Sequence, residues 1–278
     1  MSIKQVNTEF LIEEMTTDGH APMKFLCDDQ EVYFCKYRLG LDRNEIDCLA
    51  YEIIASTLLQ ELAIPTPEIA IVKISENTLN KKIIKKNRHV RVGDYCFGSK
   101  SIEPSAVLNE ITSLLNSKRD FNRIVNPEDI VRISIFDLWV ENSDRGRCFG
   151  SGFNYNLLLS ELNNKIEITA FDHGFIFGGQ SNLRVFNSRL SIDTSNKLHN
   201  TTYYKSITKF IEKERYQQIV EEFVPLLSKD YGHIITNIIS ELPKAWDLGP
   251  NLGHRITTFL SDKNRIQNIK EIILANKS

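Results

Sequence analysis

No stretch of this 278-residue chain approaches the roughly 20 consecutive apolar residues that span a bilayer. Its opening, MSIKQVNTEF, lacks a charged segment followed by an apolar core, so a cytoplasmic protein with no membrane partner is expected. The five cysteines, at 27, 35, 48, 96 and 148, form no CxxC pair and stand beside no histidine at zinc-ligand spacing. They are read as free thiols in a reducing compartment. Charge of neither sign dominates: a net charge of −2 and a pI near 6.3 supply no basic field, and no direct nucleic-acid binding is expected. Glycine-rich nucleotide signatures of the GxGxxG and GxxxxGK[ST] types are missing. FGSGF places a serine between glycines but neither follows a strand nor opens a helix, which disfavours a serine-hydrolase elbow. His20, His89, His199, His233 and His254 are scattered, against a histidine metal site, and there is no repeat or low-complexity tract.

What remains, 41% hydrophobic and 25% charged, is ordinary globular composition for one large domain or two lobes. FLIEEM and MKFLCDDQEVYFCKY are short β-prone runs broken by TTDGH and DDQ, which predicts adjacent antiparallel strands. NEIDCLAYEIIASTLLQELAI carries Ile46, Leu49, Ile53, Ile54, Leu58 and Leu62 at helical spacing, closed by Pro65, and EIAIVKIS follows as a strand. The lysine-rich NKKIIKKNRHVRVGDY is expected as an exposed hairpin or loop, a solvated face more readily than a binding patch.

From Glu103 the pattern turns helical: SAVLNEITSLLN, then PEDIVRISIFDLWVEN with Pro127 at a first turn. KSITKFIEKERYQQIVEEFVPLLS, YGHIITNIISEL and NRIQNIKEIILAN continue it, interrupted by a strand pair in NLLLSELNNKIEITAFD that turns at ELNNK. The expectation is a β-rich N-terminal part with one helix (1–100), a crossover near 95–105, a larger helical part (101–278), and a cleft between two lobes. Trp139 reads as core packing, and Trp246 as an anchor for the C-terminal helices.

Polar groups interrupt the apolar segments in two places. Asp144 follows a helix, Asn154 and Asn156 precede a strand, and Asp172 follows the next. Two carboxylates and amide oxygens are hard donors that suit Mg²⁺ and its phosphates, although Asp and Asn are equally common turn residues. Phosphoryl transfer needs such a set, one carboxylate facing the nucleophile and oxygen ligands for the metal. Within VYFCKY, Lys36 points to the face opposite Tyr33, Cys35 and Tyr37, which suits either a solvated strand edge or a site. Glu52, or less well Glu45, lies on the next helix, and a strand lysine paired with a helix glutamate orients nucleotide phosphates in kinases. Gly19 in TTDGHAP could bring backbone amides to phosphates.

TDGHAPMKF, VYFCKY, EIIASTLLQELAIPTPE, LWVENSDR, NYNLLL, ITAFDHGFIF and ELPKAWDL, in that order, resemble the HipA-like kinases. That resemblance implies an α+β, bilobal, protein-kinase-like fold, with ATP and Mg²⁺ as cofactors. It implies that Lys36 contacts the nucleotide phosphates, Glu52 holds Lys36, and Asp144 is the catalytic aspartate with Arg145 its usual neighbour. Asn154 would be the amide metal ligand, with Asn156 the alternative, and Asp172 would bridge metal and phosphates, with His173 and Gly174 completing its turn. The family has about five residues from the aspartate to the asparagine, and here RGRCFGSGF is inserted, which predicts a longer, more mobile loop. The implied activity is transfer of a γ-phosphate to a serine or threonine of a protein acceptor. The alternatives are a pseudokinase or nucleotide-binding module without turnover, or transfer to a small molecule, a lipid headgroup or the chain's own residues, Thr16 and Thr17 among them. Some members of the family are growth-arresting toxins, so an antitoxin-like protein partner is a further implication.

Overall fold

Alternation of buried and exposed residues builds the N-terminal sheet, whose strands in chain order are β1 (Gln5–Glu14), β2 (Met23–Cys27), β3 (Val32–Lys36), β4 (Ile69–Lys73) and β5 (Tyr95–Lys100). The computed structural model describes residues 2–16, 21–37, 47–109, 117–150, 152–178 and 189–277. In the order β1-β2-β3-β5-β4 the strands form a closed barrel, sealed where β1 runs parallel to β4 from Gln5↔Ile71 to Asn7↔Lys73. Register shifts in β1 after Thr8 and after Leu11 break its alternation and bend it, as bulges do where a sheet closes. The barrel is filled by Leu11, Met23, Phe25, Tyr33, Cys35, Val72 and Cys96, all buried.

Between β3 and β4 runs α1 (Cys48–Glu61), buried from Cys48 to Leu59 because one side meets β5 and another meets a C-terminal helix. A helix covered all round is apolar all round, which leaves Glu52 as its one buried acid. Ala63, in the left-handed region at φ 55°, ends it ahead of Pro65.

A second sheet, β10-β9-β6, lies beyond the crossover: β6 (Ser105–Val107), β9 (Leu157–Leu162) and β10 (Lys165–Ala170). The turn expected at ELNNK is a two-residue loop, Asn163 and Asn164 at φ 52° and 63° between the paired Leu162 and Lys165. Positive φ at both central residues is the turn that matches strand twist, and asparagine tolerates it best after glycine. The helix expected from SAVLNEITSLLN is corrected at its start, where Ser105–Val107 pairs with β9 as a strand. That partner lies more than fifty residues away and leaves no trace in local periodicity. Residues 110–116 of the segment lie outside the described residues.

The helical part is organised on α3 (Asp129–Trp139), buried throughout except for Arg132. The short α2 (Lys118–Asn122) precedes it, and Pro127 sits one residue before its N-cap, Glu128. Around it pack α4 (Thr202–Thr208), α5 (Lys213–Phe223) and α8 (Lys263–Ala275), with α6 (Gly232–Glu241) and α7 (Leu252–Leu260) beside them. Trp139 is core, as expected, its indole N–H donating to Leu260 O at 3.0 Å. Trp246 is buried in the core with Ile235, Ile238, Leu252 and Ile256 of the C-terminal helices, as expected, and its N–H also donates to Tyr95 O of β5, so it joins the two lobes. Residues 80–94 of the lysine-rich stretch are a loop with exposed lysines and a buried Val90, fixed where Glu14 accepts the backbone N–H groups of Lys85, Lys86 and Asn87. Among the described residues no helix is long and apolar enough to cross a membrane.

Replacing Asn164→Gly should stabilise the protein by about 0.5 kcal/mol, because glycine occupies φ 63° without a Cβ penalty. A thermal melt of the variant reads this as a raised Tm; an unchanged or lowered Tm would refute the turn assignment.

Candidate active site

Two walls of one cleft carry the polar residues. On the barrel wall, alternation along β3 sends Tyr33 and Cys35 inward and leaves Phe34 and Lys36 facing the cleft. Lys36 Nζ lies 2.6 Å from Glu52 Oε1 and 2.7 Å from Asp172 Oδ1, so strand, helix and the segment after β10 meet at one ammonium. Burial works to lower the Lys36 pKa, but the carboxylates of Asp172 and Glu52 outweigh it and hold the amine well above its ordinary value. Burial raises Glu52, whose second oxygen accepts the backbone N–H of His173 at 2.7 Å. Asp172 sits at φ 56°, a conformation non-glycine residues adopt only where neighbours hold them.

The opposite wall begins where α3 ends. Asn142 Oδ1 accepts the N–H groups of Asp144 (3.0 Å) and Arg145 (3.2 Å), while its Nδ2 donates to Asp137 Oδ1, which fixes the turn. Arg145 is fully buried: it donates to Asp137 Oδ1 at 2.5 Å, to Asn156 O and Phe171 O, and to His173 Nδ1. The His173 nitrogen must then be the acceptor, so the ring is neutral, and burial with the adjacent guanidinium lowers its pKa far below the usual value. Burial first, then the charge of Asp172, raises the Asp144 carboxyl; hydrogen bonds from Asn154 and Asn156 oppose the rise. Asn156 Nδ2 donates to Asp144 Oδ2 at 2.9 Å.

The insert expected as a longer, mobile loop is a hairpin. Its strands β7 (Cys148–Phe149) and β8 (Gly152–Phe153) pair, and the ladder continues through Asn154 N to Arg147 O and Gly146 N to Asn154 O. Gly146 is required at its base: at φ 92°, a Cβ there would lie 2.2 Å from the Lys197 carbonyl carbon.

The cleft has a volume of about 1670 Å³ and is lined by Lys36, Glu52, Asp144, Asn154, Asn156 and Asp172, with Phe34, Phe97, Ile102, Leu158 and Phe171 forming an apolar part. Among the described residues no three His, Cys, Asp or Glu side chains form a metal-holding group. The donors present are two carboxylates and two amides, and repulsion between Asp144 and Asp172 is what a divalent cation between them would relieve. Gly19 and Glu45 lie outside the described residues. The structure thus brings together Lys36, Glu52, Asp172, Asp144, Asn154 and Asn156. Sequence reasoning missed Asp137 and Asn142, whose only signals were an acid inside the apolar IFDLW and an amide two residues before Asp144, and it missed Glu141, Lys197 and Arg265 altogether.

A Helicobacter pylori proinflammatory kinase, CtkA, has a similar structure: TM-score 0.51 and 15% identity, over 98% of each chain. A Golgi casein kinase with Mn and ADP bound is 14% identical with a TM-score of 0.46, over 99% of this chain and 73% of that one. No match is found among curated proteins. The kinase fold seen in the first of these structures agrees with the β-rich N-terminal lobe and helical C-terminal lobe described above. The family model for the HipA-like kinases matches residues 10–269, and the chain belongs to that family.

Proposed function

We propose that the protein is an ATP- and Mg²⁺-dependent phosphotransferase that moves a γ-phosphate to a serine or threonine hydroxyl of a protein acceptor. The observation that carries this is the meeting of Lys36, Glu52 and Asp172 at one ammonium, in the same cleft wall-to-wall with Asp144 and its two asparagines. Residues 1–100 hold the nucleotide phosphates and residues 101–278 supply the acid–base and metal-binding groups. The free thiols of Cys27, Cys35, Cys96 and Cys148 suit a reducing cytoplasm.

In this reading Lys36, fixed by Glu52, orients the phosphates. Asp172 and an asparagine hold Mg²⁺, whose charge would offset that of the phosphates. Asn154 and Asn156 both donate to Asp144, and an amide that donates through Nδ2 keeps Oδ1 as its acceptor for a cation, so either can serve. Asp144 takes the acceptor hydroxyl's proton as that oxygen bonds to phosphorus and the bond to the β–γ bridging oxygen breaks, releasing ADP. A cleft of about 1670 Å³ exceeds the ~300–1,000 Å³ of a small-ligand pocket, which leaves room for an acceptor segment.

Calorimetric titration of ATP with Mg²⁺ should show binding to the wild type, weakened about tenfold or more, roughly 1.4 kcal/mol, in Lys36→Ala and in Asp172→Ala. Binding should also be lost on chelation of the metal, and a folded wild type that does not bind would overturn the reading. Asp144→Asn should bind within a few-fold of wild type yet transfer phosphate about 10²–10⁴-fold more slowly. Full transfer by that variant would remove Asp144 from its role, and binding without turnover in the wild type would make the chain a nucleotide-binding module. Because a base must be deprotonated and Asp144 is raised, kcat should fall with decreasing pH along a limb lying above the ordinary aspartate value of about 3.9. A pH–rate profile flat down to that value contradicts it.

A further inference from the structure

Behind the Asp144 turn, away from the cleft, three charged side chains are buried together. Glu141 lies three positions before Asp144, in the left-handed region at φ 51°. Its Oε1 accepts Lys197 Nζ at 2.7 Å and its Oε2 accepts Arg265 Nη2 at 2.6 Å, with all three side chains no more than 3% exposed. Lys197 Nζ also donates to Asn142 O at 2.6 Å. Arg265, on α8, donates to Trp139 O (3.2 Å), to Leu138 O and to Leu190 O (3.0 Å).

Two cations and one anion out of water are costly unless something answers the surplus positive charge. Here the surplus faces the last carbonyls of α3 and the carbonyl of Asn142, the negative end of a helix, so it is answered by backbone dipoles at the root of the Asp144 turn. Apolar residues could pack α8 against α3, but they could not hold these carbonyls in fixed directions. From Asn142 the constraint passes directly forward, because its Oδ1 accepts the N–H groups of both Asp144 and Arg145. Gly146, next along, packs against the backbone of Lys197 and Leu198.

We infer that Arg265 is a positioning residue for Asp144, acting through Glu141, Lys197 and Asn142, so that the C-terminal helix α8 sets the aim of the catalytic turn. The inference rests on the reading of Asp144 as the proton acceptor. It makes Arg265 matter for turnover and not for nucleotide binding, since it touches neither the cleft nor Lys36.

The test compares the full-length wild type with Arg265→Ala, Arg265→Lys and the neutral triple variant Glu141→Gln/Lys197→Met/Arg265→Gln. The triple variant leaves no unpaired buried charge and so should fold even if the alanine variant does not. Calorimetry should give MgATP affinity within about threefold of wild type, because uniform binding is untouched. Phosphate transfer should lose about a hundredfold in kcat at unchanged KM for ATP, the scale of a reacting group displaced by about an ångström. Hydrogen exchange at the Asp144 and Arg145 amides should accelerate about tenfold or more, with Arg265→Lys recovering part of the protection. A folded triple variant with wild-type exchange at those two amides and wild-type kcat overturns the inference. If the wild type binds MgATP but transfers nothing, the phosphotransfer reading fails, and the exchange measurement decides the positioning of the turn by itself.

Discussion

The buried ion pair of Arg145 and Asp137 is the contact on which the rest of the candidate site's architecture hangs. Neither side chain reaches solvent, and burial pushes the Asp137 carboxyl up to about 6 even with the guanidinium beside it. Asp137 Oδ2 accepts no hydrogen bond among the described residues, so the pair depends on the remaining donor capacity of the guanidinium being met. Arg145 meets it with partners drawn from the entry to β9, the exit of β10 and His173. Helix α3, the Asp144 turn and the two strands of the second hairpin are thereby fixed to one planar guanidinium. A lysine, with one nitrogen in place of the five-donor fork, could not reach all of them.

From that contact the opposite wall follows. Arg145 grips Phe171 O and His173 Nδ1 from one lobe, while Glu52 of α1 accepts His173 N from the other. Asp172 lies between these two grips, which explains how it is held at φ 56° with its carboxylate on Lys36. Glu52 therefore has two roles, since one oxygen takes the Lys36 ammonium and the other takes the peptide that follows Asp172. Contact between the lobes and the position of the acid are one constraint, aided at a distance by the bond from Trp246 to Tyr95 O of β5 and by Asp47, which accepts Gly249 N.

What the sequence makes legible is what is local. Alternation in VYFCKY separates Lys36 from the barrel core, the apolar run of α1 exposes Glu52 as an anomaly, and the paired asparagines mark the β9–β10 turn. What it hides depends on contacts between distant segments. β6 is a strand only because β9 is beside it, and the bond from Trp246 to Tyr95 spans 151 positions. Lys197 and Arg265 look like any surface cation until Glu141, 56 and 124 positions away, is found between them.

The hairpin insert shows how a spacing rule can fail in the sequence and be restored in the fold. Counted along the chain, neither asparagine stands about five residues after Asp144, as the family pattern has it. Yet the backbone of Gly146 is paired with Asn154, so the segment 147–153 leaves the turn and returns to the same point. Passing straight from Gly146 to its partner Asn154 puts Asn156 five positions after Asp144. Asn156 is also the residue whose amide reaches Asp144 Oδ2, with its backbone carbonyl accepting both Arg145 Nε and Phe171 N. The insert therefore leaves the spacing of the polar groups intact and adds Arg147, Gly152 and Phe153 to the cleft wall beside them. That wall is where this chain departs from the family's pattern.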